Sequence, residues 1–143
     1  MIRKTAVAFA IALAFAGPAA YGQAGHEHGH AADEPQLVLN QGKKWPTDAP
    51  LRQGMENIRS ALGGGMKYGA LATKVSTEVA GIVQNCKLEP EADAQLHLVI
   101  ADIMAGVEAL EGKAKGETRR AGAEKIARAL VAYGEHFDHA GWN

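Results

Sequence analysis

Six histidines, four methionines and one cysteine are the side chains of this sequence with the softest donor chemistry. His26-Glu27-His28-Gly29-His30 places three imidazoles within five residues. In a polar segment without periodicity, that density points to metal binding or to pH response. Cys86, His97, His136 and His139 lie further along. Thiolate sulfur with imidazole nitrogen suits Cu(I) and Zn, whereas imidazoles beside a free amine suit square-planar Cu(II). Copper is therefore the favoured metal and zinc the alternative. The signatures of common enzymes are missing: there is no Gly-rich phosphate loop, no CxxC, no CxxCH and no HExxH. No catalytic residue is nominated, and a non-enzymatic role is expected.

Such donors act only if the chain brings them together, so the elements that carry them come next. Arg3 and Lys4 precede the uncharged stretch from Thr5 to Gly17, which Pro18 breaks before Gly22-Gln23-Ala24. This is the pattern of a secretory signal cleaved after Ala24. The apolar run falls short of the roughly 20 residues that span a bilayer. Without residues 1–24 the chain loses two of its 15 basic and none of its 16 acidic residues, for a mature charge of −3. Nucleic acid, which demands clustered Lys and Arg, is excluded as a partner. Export places the protein in the periplasm, where the lone Cys86 has no internal disulfide partner.

Residues 25–47 read as a flexible His-rich tail followed by an extended segment in which Trp45 is an anchor. From residue 48 to 143 the spacing is helical. Helix 1 opens at Thr47 or Asp48 as N-cap with Pro50 in its first turn, and carries Leu51, Met55, Ile58 and Leu62 inward up to Gly63-Gly64-Gly65. Helix 2 spans Met66 to Cys86 with Leu71, Val75, Val79, Ile82, Val83 and Cys86 on its apolar face. Helix 3 runs from Glu91 to Lys113 on Leu96, Ile100, Ile103, Val107 and Leu110, and helix 4 from Glu117 to His139 on Ile126, Leu130, Tyr133 and Phe137. Short connections imply antiparallel neighbours, hence an all-α, up-down-up-down four-helix bundle.

In such a bundle, with a rise of about 1.5 Å per residue, Cys86, His97, His136 and His139 all fall about 22–31 Å above the lower turns. That convergence in height nominates Cys86, His97, His136 and His139 as a metal cluster, with Asp93 one turn from His97 to orient its imidazole. The plainer reading of the same residues is a core thiol at Cys86, a boundary histidine at His97 and C-terminal helix cations at His136 and His139. His26, His28 and His30 form a second, independent donor set, to which the amine of Gly25 is added by cleavage after Ala24.

The stretch from Leu39-Asn40-Gln41-Gly42 through Lys43-Lys44-Trp45-Pro46-Thr47-Asp48-Ala49-Pro50 to Gly54-Met55 resembles the small exported proteobacterial proteins called DnrO-like. Asn85-Cys86-Lys87-Leu88, Asp93-Ala94-Gln95-Leu96-His97 and His136-Phe137-Asp138-His139 are similar to the same group. The resemblance spans nearly all of the mature chain and implies an exported protein without a settled activity. A looser likeness, to the periplasmic four-helix b-type cytochrome, implies haem b held by Met55 and His136, with His97 and His136 the pair better matched in height. The expectation is thus a periplasmic, copper-favouring protein for storage, buffering or delivery. A metal-free helical interaction protein and a haem b bundle are the alternatives, and an exposed apolar patch around Leu37-Val38-Leu39, Trp45 and Trp142 would favour the interaction protein.

Overall fold

A computed structural model describes residues 35–142, so the signal sequence expected over residues 1–24 and the histidines His26, His28 and His30 lie outside the described residues. Four helices follow in sequence: α1 (Ala49–Gly63), α2 (Tyr68–Asn85), α3 (Pro90–Glu111) and α4 (Arg119–His136). Among the described residues the β pairing is confined to two isolated bridges, Asn40 with Lys43 and Trp45 with Phe137. No described helix is long and apolar enough to cross a membrane.

Two of the helices start on a side-chain cap and a third on a proline. Asp48 is the N-cap of α1, its Oδ1 accepting from the Leu51 N–H at 2.9 Å, and Pro50 occupies the first turn. Thr118 caps α4 by accepting from the Ala121 N–H at 3.1 Å. Pro90 opens α3, where a missing N–H leaves no bond unmade. From these starts the apolar stripes converge. Leu51, Met55 and Ile58 of α1 meet Leu71, Val75, Val79 and Ile82 of α2, Leu96, Ile100, Ile103, Val107 and Leu110 of α3, and Ile126, Leu130 and Tyr133 of α4 in one buried core. Each such side chain contributes about 1.5–3 kcal/mol when fully withdrawn from water.

The backbones of α3 and α4 nearly touch. A Cβ at Gly106 would lie 2.8 Å from the Gly122 carbonyl oxygen, and one at Gly122 would lie 2.6 Å from that of Gly106. Only glycine fits at either position.

Several helix ends differ by one to three residues from the sequence expectation, and two of the differences move candidate ligands. α2 stops at Asn85, and Cys86 is the extended residue after it, with φ −70° and ψ 148°. Cys86 is therefore only half-buried, at the edge of the core rather than in a helical stripe, and Val83 points outward at 56% exposure. α4 stops at His136, three residues short of the expected His139. Phe137 turns extended there because its neighbours pair with the strap formed by residues 35–47. The Trp45 N–H donates to the His136 carbonyl at 2.7 Å, and the Asp138 N–H donates to the Trp45 carbonyl at 2.8 Å. The strap is fixed further by Val38 N–H on Gln95 Oε1 at 2.7 Å and by Trp45 Nε1 on the Val38 carbonyl at 2.6 Å. Leu37 and Trp45 pack half-buried against the core.

Candidate functional site

The four donors expected to meet in the folded part do not assemble. Among the described residues no three His, Cys, Asp or Glu side chains are placed to hold a metal ion. The physical reason lies in the two helix ends: Cys86 leaves α2 before completing another turn, and His139 leaves α4 altogether and folds back.

The surroundings of each residue show what it can still do. His97 is exposed on α3, its Nδ1 2.8 Å from the carbonyl oxygen of Asp93 and 3.4 Å from the Asp93 carboxylate. A carbonyl oxygen only accepts, so Nδ1 carries the proton and the neutral ring keeps its lone pair on Nε2. His136 repeats this arrangement one helix away, with Nδ1 donating to the Ala132 carbonyl at 2.8 Å. Both imidazoles are thus single donors without companions. The Cys86 thiol is pushed above its ordinary pKa, first by burial and then by the nearby Asp48 and Asp93 carboxylates, which disfavours the thiolate a metal requires. Met55 is completely enclosed by core side chains, so haem between it and His136 would have to displace the core.

His139 is the most built-in of the set. Its side chain is 1% exposed, and it is the buried polar residue of the described core. Nδ1 lies 3.0 Å from the Tyr133 hydroxyl, and Nε2 lies 3.0 Å from Glu56 Oε1 on α1. With both ring nitrogens engaged, no lone pair faces a metal. Burial raises the Tyr133 phenol well above its usual pKa, so the hydroxyl remains a hydrogen-bond donor. A donor phenol places the acceptor lone pair on Nδ1 and the ring proton on Nε2, aimed at the Glu56 carboxylate.

Trp142 closes the cluster. Its indole meets the Tyr133 ring edge-on at 4.9 Å between centroids and lies 4.8 Å from the His139 ring. The Arg59 guanidinium sits 4.2 Å above the indole and donates to the Trp142 carbonyl at 2.5 Å. Gly134 makes the room, because a Cβ there would collide with the indole ring. The result is a Tyr133–His139–Glu56 hydrogen-bond chain covered by an aromatic ring, and Tyr133 at its head is 0% exposed. The chain has the composition of a proton relay, but its phenol cannot touch a substrate in solvent.

Sequence periodicity missed this cluster because helix 4 read as continuing through His139. The signal available was the run Gly141-Trp142 after it, a chain reversal followed by an aromatic residue, with Gly141 at φ 78°. No family model, curated protein or solved structure matches the chain.

Proposed function

We propose that this chain is an exported, copper-favouring metal-binding protein of the periplasm with a buffering, storage or delivery role. In this reading the His26-Glu27-His28-Gly29-His30 segment supplies the ligands, and the helices form an up-down-up-down bundle that serves as the folded body carrying it. The observation behind it is a contrast in donor density. Three imidazoles fall within five residues there, whereas His97 and His136 stand singly and both nitrogens of His139 are bonded. Cleavage after Ala24 would leave the amine of Gly25 next to His26, and an amine with imidazoles favours Cu(II) in a tetragonal field.

Titration of the mature chain with Cu(II), followed by electron paramagnetic resonance, tests the reading. One tetragonal Cu(II) per chain is expected, with binding abolished by the combined His26→Ala, His28→Ala and His30→Ala substitutions and retained in Cys86→Ser. Wild-type protein that takes up no Cu(II), or a triple variant that binds like wild type, would favour the second reading, a metal-free interaction protein. Exposed Val38 and Leu39 on the strap are the observation on that side. Leu37, Trp45 and Trp142 of the same expected patch are instead partly buried against the core.

A further inference from the structure

The Tyr133 cluster has a geometry that neither the metal reading nor simple packing uses. A phenol that loses an electron becomes a strong acid, so its oxidation is easy only where a base already holds the hydroxyl. His139 Nδ1 is that base, at 3.0 Å. The proton arriving there would make an imidazolium, and the Glu56 carboxylate 3.0 Å from Nε2 is placed to stabilise it. Water is excluded, with Tyr133 at 0% exposure and the Phe137 ring stacked on it at 5.2 Å between centroids. Trp142, half-buried and touching the Tyr133 ring, links the phenol to the surface. The guanidinium of Arg59 over the indole favours the neutral, electron-rich ring and opposes a positive charge on it. A hole formed on Trp142 is therefore driven inward.

We propose that Trp142, Tyr133, His139 and Glu56 form a proton-coupled electron relay that accepts oxidising equivalents from a diffusible one-electron oxidant of the oxygen-radical class. The oxidant takes one electron from the Trp142 indole and is reduced by one. Tyr133 refills the indole with one electron and passes its phenolic proton to His139 Nδ1, leaving a neutral phenoxyl radical beside an imidazolium held by Glu56. No heavy-atom bond forms or breaks. Because burial raises the Tyr133 pKa, the route through a preformed phenolate is closed, and the proton leaves only with the electron. Tyr68, an exposed tyrosine with no base on its hydroxyl among the described hydrogen bonds, is the internal comparison.

The relay is tested on the full mature chain by laser generation of the trivalent tris(bipyridine)ruthenium complex, with transient absorption and electron paramagnetic resonance to identify the radical. A phenoxyl signal is expected in wild type. In Tyr133→Phe it should vanish, with an indole radical persisting instead, and Trp142→Phe should slow its formation. His139→Gln should slow phenoxyl formation about 100-fold, the scale of a positioned base. Glu56→Gln, at a half-exposed position that tolerates change, should slow it roughly tenfold and covers the case in which His139→Gln does not fold. A radical that rests on Trp142 or Tyr68 in wild type overturns the proposal. So does phenoxyl formation at Tyr133 that is unaffected by Glu56→Gln and by every folded variant at His139 or Trp142.

Discussion

At the residue scale, the environments of Tyr133 and Cys86 fix the direction of their pH responses. A phenol whose folded pKa lies above its free value of about 10 holds its proton more firmly in the fold than in the unfolded chain. It therefore supports the fold fully below that value, and the contribution fades as the pH climbs through the raised folded pKa. Urea titrations at rising pH should show stability declining above pH about 10, and Tyr133→Phe should flatten that decline even though it lowers stability at neutral pH by breaking the bond to His139. An unchanged alkaline limb in Tyr133→Phe would place the titrating group elsewhere. Cys86 follows the same sign, since burial and the Asp48 and Asp93 carboxylates raise its thiol. Its alkylation by iodoacetamide at pH 7 should be slower than that of an unstructured cysteine peptide, and an equal rate would contradict the assigned environment. Of these residues, the sequence made the His97–Asp93 contact readable, because four residues apart is one helical turn. It did not reveal that the backbone carbonyl, rather than the carboxylate, is the nearer acceptor. The partners of His139 are 6 and 83 residues away, and no local pattern carries the second.

At the element scale, the four helices were readable because each carries a 3.6-residue stripe and the first three are followed by a break, Gly63-Gly64-Gly65, Pro90 or Gly116. The errors came at ends where a tertiary bond overrides periodicity. α4 ends where Trp45 captures the His136 carbonyl, and α2 ends where Asp48 Oδ2 accepts from the Lys87 N–H at 2.6 Å. Spacing alone also hid how closely α3 and α4 approach, since a glycine inside a helical pattern locally signals only a lower helix propensity. The structure separates Gly106 and Gly122 from glycines with free space around them. Gly122→Ala should cost about 1–3 kcal/mol or more, because the methyl group meets the Gly106 carbonyl and the Leu110 backbone. Gly81→Ala on α2, with nothing near the added carbon, should raise stability by about 0.5–1 kcal/mol. Chemical denaturation midpoints measure both, and the pair fails together if the two substitutions change stability in the same direction.

At the scale of the whole molecule, the two chain ends of the described region hold each other. The strap reaches the C-terminal segment through the Trp45 bonds to His136 and Asp138, through the Thr47 hydroxyl on the Asp138 carbonyl at 2.6 Å and through Lys44 Nζ on the Gly134 carbonyl at 2.6 Å. The C-terminal segment in turn reaches α1 through His139 on Glu56 and Arg59 on Trp142. The Thr47, Lys44 and Arg59 bonds are exposed, whereas the stripe of α3 is buried, so the ends are expected to open at lower cost than the core. Trp142 is their closing piece, and Gly134 is the position that admits it. Placing a methyl group there by Gly134→Ala should expel the indole, uncover His139 and loosen the strap without direct contact between residue 134 and the Trp45 or Asp138 amides. Hydrogen exchange read by NMR should then show faster exchange at the Trp45 and Asp138 N–H groups, with Ile103 and Val107 in α3 changed far less. If the α3 amides lose protection equally, the ends and the core are one cooperative unit; if neither pair changes, Trp142 does not hold the strap.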